Sequence, residues 1–272
     1  MALHGMPLAY TVASPECYAR PAMAYEAPLS TAIQELQRLG YEGVEVQTRD
    51  VRELDRSAIA DDMDRAGMRL AVLATGPLGA EGLGLAHTDG SPERQETLAR
   101  LEALVDWAAE VGAIISLGRS LGGGNGDRQQ RLDLMAAGLA SLDARAADRG
   151  VQIALEPQNQ HLTDLLRSIA DTREVIERVG GSTLGVLADT YHLALEEASV
   201  EAGLVEAAPH LMHVQFSDSN RRRAGAGTLP FTSIVRVLQL LGYRGWVGLE
   251  HRQEGQPEEL AGAASRFVHA LA

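Results

Sequence analysis

The sequence predicts an α/β fold, a (β/α)8 barrel, on three observations. Short β-branched runs alternate with amphipathic stretches along the whole chain, eight such runs can be counted, and 272 residues divided by 8 gives 34 per unit. That repeat is close to the ~30 residues of a βα unit, and the total is near the ~250 of a complete barrel. An open, doubly wound sheet is the rival arrangement. It loses its main support because no GxGxxG follows the first run, and the glycine-rich LGGGNGD at 121–127 comes only after the fourth.

Taken in order, the strand candidates are LAYTVAS (8–14), GVEVQ (43–47), RLAVLAT (69–75), AIISLG (113–118), VQIALE (151–156), LGVLAD (184–189), LMHVQFS (211–217) and GWVGLE (245–250). Between the first two lies LSTAIQELQRLG (29–40), a helix that Ser30 or Thr31 can cap and Gly40 can end. ETLARLEALVDWAAEVG (96–112) repeats the pattern before the fourth strand. LGGGNGD is read as a βα loop rather than a mobile lid. No linker, low-complexity tract or change of composition divides the chain, so residues 1–272 are expected to form one barrel domain.

Composition removes several chemistries. The chain has no lysine, so all 24 basic residues are arginine, and Schiff-base aldolases, pyridoxal-phosphate enzymes and Walker-A ATPases are excluded. Cys17 stands alone, which rules out an intrachain disulfide, a CxxC pair or a thiolate zinc cage and fits a reducing cytoplasm. The start of the chain lacks a basic segment ahead of an apolar one, and no run approaches the ~18 apolar residues of a membrane span, so neither export nor insertion is expected. A net charge of -13 opposes nucleic acid binding, and Arg221-Arg222-Arg223 is the one basic cluster.

Barrel enzymes place their chemistry at the C-terminal ends of the strands. Four successive strands carry a polar residue there: Glu156, Asp189, Gln215 and Glu250. Their separations, 189−156=33, 215−189=26 and 250−215=35, are each about one βα unit, so each step moves one strand around the same rim. One acidic residue ending a strand is an ordinary helix cap; four in succession are read as a site. Ala154 and Gly248, two residues before Glu156 and Glu250, are small enough to leave room for an ion, although Leu187 before Asp189 is not. Three carboxylates would repel one another, and a divalent cation relieves the repulsion. An all-oxygen ligand set favours one Mn²⁺, Mg²⁺ or Co²⁺ over a zinc site of imidazole and thiolate.

ALEPQN (154–159), GVLADTYHLALEE (185–197), MHVQFSDSNRRRAGAGTLPF (212–231) and WVGLEH (246–251) resemble the xylose-isomerase-like barrel family, particularly ketose 3-epimerases and 5-keto-L-gluconate epimerase. GLGLAHTDGSPER (82–94) is similar more weakly, and residues 1–70 match only as a barrel pattern. The resemblance implies one divalent metal held by Glu156, Asp189, Gln215 and Glu250, with Glu156 and Glu250 also the catalytic acid and base. It implies substrate-binding roles for His192 and Arg221, a supporting role behind the site for His213, and a weaker pocket role for His87. Ketose 3-epimerases usually carry histidine where this chain has Gln215, whereas the similar hydroxypyruvate isomerases carry glutamine. A dimer or tetramer is also implied.

The expected reaction removes a proton next to a carbonyl and stabilises the enediolate that results, with the metal as Lewis acid. Two glutamates on opposite faces permit epimerisation; isomerisation needs one. Arg221 would set a donor fork near a substrate oxyanion or carboxylate, and His192 would hydrogen-bond a hydroxyl. The rival readings are hydroxypyruvate isomerisation, inosose dehydration, a sugar-binding subunit without catalysis, and an apurinic endonuclease. The last needs a histidine-rich zinc cluster, and here the third and fourth strands end in Ala74-Thr75 and Leu117-Gly118.

Overall fold

Parallel strands pair in chain order and close on themselves, the eighth returning to the first. The computed structural model describes residues 3–18 and 23–271. Its elements are β1 (Leu8–Ala13), α1 (Leu29–Arg38), β2 (Gly43–Gln47), α2 (Arg56–Ala66), β3 (Arg69–Ala74), α3 (Gly76–Ala80), α4 (Pro92–Val111), β4 (Ile114–Leu117) and α5 (Arg128–Arg149). The second half continues with β5 (Ile153–Leu155), α6 (Ile169–Val179), β6 (Leu184–Asp189), α7 (Thr190–Glu196), α8 (Val200–Ala207), β7 (Leu211–Phe216), α9 (Phe231–Leu240), β8 (Val247–Leu249) and α10 (Pro257–His269).

All eight expected runs contain a strand, and most are trimmed at their ends. Glu156 and Glu250 lie just past β5 and β8, where the chain leaves the ladder for the rim, although the Glu156 N–H still donates to the Leu117 carbonyl (2.8 Å). The expected cap of α1 is displaced. Its first residue is Leu29, preceded by Pro28, so Ser30 and Thr31 lie inside the first turn, while Gly40 follows the helix at φ 89°. Helix α4 begins four residues before the apolar pattern, because the Ser91 hydroxyl accepts from the Arg94 N–H and Pro92 is pre-set for the first helical position.

Alternation along each strand separates two environments. The outward residues Leu8, Tyr10 and Val12 of β1 join Ala32, Ile33 and Leu36 of α1 in the large core between strands and helices. Inside, a small apolar cluster of Ala9, Ala71, Val72 and Ala74 packs with Ile114 and Trp246, and the Arg69 guanidinium lies 4.7 Å over the Trp246 ring. Thr11, Glu45, Gln47, His213 and Gln215 are also buried, so a polar cluster occupies part of the interior. Buried polar groups require partners, and that requirement organises the site.

Candidate active site

Asp189 and Gln215 are paired across β6 and β7, and Gln215 pairs in turn with Gly248 on β8, so neighbouring strands deliver their side chains at matched levels. Glu156, Gln215, Glu250, His192 and Arg221 line one cavity of about 600 Å³, with Gln47, Gln158, Asn159 and Tyr191 also in its wall. Asp189 is fully buried behind it. Three of the four oxygen-bearing residues expected from the strand ends thus line one space, and the fourth, Asp189, lies buried behind it.

The Glu156 carboxylate occupies room left by the fourth strand. A Cβ on Gly118 would sit 2.3 Å from Glu156 Oε2 and 2.6 Å from Gln158 Nε2, so this close approach requires glycine. Gln158 Nε2 donates to Oε2 (3.1 Å), while Oε1 has no hydrogen-bond partner. Burial, then the Glu250 and Asp189 carboxylates, push the Glu156 carboxyl well above the ordinary carboxylate range. Glu250 Oε1 accepts from Gln47 Nε2 (2.8 Å), and Oε2 pairs with Arg221 Nη2. Burial raises Glu250 to about 7, Arg221 opposing the rise and Asp189 and Glu45 adding to it.

Asp189 serves two elements. Its Oδ1 caps α7 by accepting from the Tyr191 N–H (2.8 Å), and its Oδ2 pairs with Arg221 Nη1. Arg221 therefore bridges Asp189 and Glu250, with its guanidinium 5.1 Å from the centre of the Tyr191 ring. The residue is left-handed at φ 60°, a conformation that costs a side-chain-bearing residue of order 1–3 kcal/mol. Backbone bonds to the Asp218 carbonyl (2.8 Å) and from the Arg252 N–H (2.9 Å) hold it. Asp218, buried, accepts from the N–H groups of Ser219, Gly225 and Leu229 and so ties together the loop that carries Arg221.

With both Nη atoms bound to carboxylates, Arg221 is a brace inside the site before it is a fork for substrate. Arg221→Ala should therefore lower kcat/KM for a neutral ketose and for the keto acid of the same length alike; a loss confined to the acid would return the residue to reading substrate charge.

His192 has a defined tautomer. The Asn159 backbone N–H donates to Nδ1 (3.1 Å), so the ring proton resides on Nε2, which lies 3.6 Å from Glu156 Oε1. Burial pulls its pKa down to about 4, keeping it neutral. Glu156, Asp189 and His192 each offer an atom within 4.8 Å of the others, the spacing of a metal cluster. A protonated Nε2 presents an N–H rather than a lone pair, so the imidazole suits donation to a ligand oxygen and leaves coordination to the oxygens.

Two expectations are corrected. His87 is not in the cavity wall: its Nε2 pairs with the Gly82 carbonyl (2.7 Å), and its ring fills the space a side chain on Gly123 would need. The Ala86 N–H bonds the Gly122 carbonyl nearby (3.0 Å) and fastens this loop to the glycine-rich segment, against which the His87 ring packs. The room beneath Glu250 is also already filled. A Cβ on Gly248 would lie 1.5 Å from Glu45 Oε1, so that glycine makes space for a carboxylate from β2, not for an ion. His213, fully buried and absent from the cavity wall, faces the same carboxylate through Nε2 (2.5 Å).

Glu45, Gln47, Asn159 and Asp218 are the polar residues the sequence reading passed over. Gln47 carried the signal used for the others, a polar residue ending an apolar run.

A family profile described as a xylose isomerase-like TIM barrel matches residues 33–271. An L-ribulose 3-epimerase from Methylomonas sp. (strain DH-1) is 26% identical over 230 residues, 80% of this chain and 77% of that protein. A Streptomyces coelicolor protein with the provisional name hydroxypyruvate isomerase is 32% identical over 253 residues, 88% of this chain and 86% of that protein. Among solved structures, the 3-keto-D-glucoside 4-epimerase of E. coli superposes with a TM-score of 0.83 at 19% identity, covering 97% of this chain and 99% of that one, a likeness of fold. The chain belongs to the xylose isomerase-like TIM barrel family.

Proposed function

We propose that the chain is a divalent-metal-dependent epimerase or isomerase that moves a proton next to the carbonyl of a keto sugar or keto sugar acid. The observation that carries this reading is the convergence of Glu156, Gln215 and Glu250 on one cavity with Asp189 buried behind it, where Glu156 Oε1 and Gln215 Oε1 are buried without a hydrogen-bond partner. An unpartnered amide oxygen beside three carboxylates, one of which has an unpartnered oxygen of its own, fits a hard cation. We assign Mn²⁺, with Mg²⁺ or Co²⁺ as alternatives. When bound, the cation supplies Lewis-acid polarisation of two adjacent substrate oxygens.

The residues of the chain do the rest. A carboxyl with a raised pKa can hold or accept a proton near neutral pH, which suits Glu156 and Glu250 to acid and base roles. His192 Nε2–H donates to a substrate oxygen, and Arg221 keeps Asp189 and Glu250 in place. Relatives named as L-ribulose 3-epimerase and hydroxypyruvate isomerase support chemistry of this class. Isomerisation of hydroxypyruvate is the second reading, favoured by the amide at Gln215 and by the 32% identity to the Streptomyces protein. We further assign the enzyme to the cytoplasm as a homodimer or homotetramer; light scattering that finds a monomer would overturn that assembly. No described helix is long and apolar enough to cross a membrane.

A titration follows from the same carboxyls. Protons compete with the cation for carboxyls whose pKa values are raised, so Mn²⁺ affinity should climb as the pH rises through about 7, the value for Glu250, with release of protons on binding. Calorimetry in two buffers of different ionisation enthalpy measures that release. Affinity independent of pH, with no proton released, would contradict the assignment of these carboxyls as ligands.

A further inference from the structure

Resting on the metal-site reading above, we infer that Glu45, which does not face the cavity, is a positioning residue that fixes the Gln215 amide so that its oxygen is presented to the cation. An amide side chain is ambiguous by itself, since its oxygen and nitrogen ends are nearly the same size and shape. Something must decide which end faces the cavity. Glu45 is fully buried on β2, and its carboxylate reaches elements far away in the sequence. Oε2 accepts from Gln215 Nε2 (2.7 Å) and from the Thr11 hydroxyl (3.0 Å), while Oε1 faces His213 Nε2 (2.5 Å). A carboxylate only accepts, so it holds the NH₂ end of Gln215 and leaves Oε1 as the buried atom without a partner.

Gly248, which pairs with Gln215 across β7 and β8, supports the same assignment. The carboxylate stands where a side chain at position 248 would be, so β8 is shaped to admit Glu45 rather than to approach the cavity. The hydrogen bond also draws electron density toward the amide oxygen, improving a neutral ligand, as outer partners of metal ligands do. Sequence separations of 168 and 170 residues from Glu45 to His213 and Gln215 hide this arrangement from any local reading.

The test is a double-mutant cycle read by Mn²⁺ binding, using calorimetry and the electron paramagnetic resonance signal of free Mn²⁺. Glu45→Gln keeps the size of the side chain but adds a donor that can turn the Gln215 amide around. It should weaken Mn²⁺ binding by roughly 10–100-fold. Gln215→Ala should weaken it as well, and adding Glu45→Gln to Gln215→Ala should cause little further loss. Gly248→Ala, which must displace the Glu45 carboxylate, is the second route to the same result if Glu45→Gln fails to fold. Thermal unfolding of each metal-free variant separates loss of fold from loss of positioning. Wild-type affinity in Glu45→Gln, or equal losses with and without the Gln215 amide, would overturn the inference while the metal site stands. Absence of Mn²⁺ binding by the wild-type chain would overturn both.

Discussion

Glu156→Gln and Glu250→Gln should each reduce turnover by something on the order of 10²–10⁴-fold, the usual cost of losing a general acid or base, while Mn²⁺ affinity falls only in part. The substitution keeps an oxygen donor of nearly the same size and removes the carboxyl proposed to transfer the proton. The surroundings differ, and so should the side effects. Glu250→Gln also removes a charge that anchors Arg221, leaving that guanidinium paired with Asp189 alone. Glu156→Gln leaves the Arg221 pairs intact, because Glu156 contacts Gln158 and approaches His192 instead. In a two-base epimerisation, one variant can still exchange the substrate proton with solvent without inverting the carbon. In a one-base isomerisation, one glutamate is essential and the other affects mainly the metal. Steady-state kinetics combined with metal analysis would count against the assignment if both variants, metal-loaded, turned over near the wild-type rate.

Chelation should be equally decisive. Prolonged treatment with EDTA is expected to abolish turnover, and Mn²⁺ should restore it at one ion per chain. The physical reason lies in the charge balance of the cavity: among the described residues Arg221 pairs with Asp189 and Glu250 but not with Glu156, whose Oε1, like the Gln215 amide oxygen, has no hydrogen-bond partner. Such a cluster is poorly compensated until a divalent ion joins it. Turnover that survives full removal of metal would contradict the whole ligand assignment.

The second half of the site was legible because β5 to β8 present their polar residues one repeat apart, and spacing alone places such residues on one rim. His192 came from the resemblance carried by GVLADTYHLALEE, not from spacing. The first half was obscured for a different reason. Glu45 and Gln47 act on residues of β7 and on the segment after β8, up to 203 positions away, and contacts across a closed barrel leave no trace in local periodicity. Gly248 looked like space for an ion because strand alternation tells which face a residue occupies, not what enters from the other side. Arg221 looked like a substrate fork because its type suits anions, yet the anions nearest to it belong to the protein. The strands themselves were read nearly to the residue, since β-branched runs bounded by turns carry their own signal, whereas the cap of α1 moved to Pro28 because backbone geometry there displaced the hydroxyl candidates.

Transfer of a proton at a carbon next to a carbonyl leaves an isotopic record. The measurement that tests it most directly is incubation with Mn²⁺ in D₂O against a panel of ketoses, keto acids and their phosphates, followed by NMR and mass spectrometry. Deuterium is expected to enter a single carbon adjacent to the carbonyl of at least one substrate, only with metal present, and to be absent with the double variant Glu156→Gln/Glu250→Gln. Conversion of a substrate with no deuterium incorporated at any carbon, even at long times, would contradict proton exchange with solvent by these glutamates and favour transfer of hydrogen within the substrate instead.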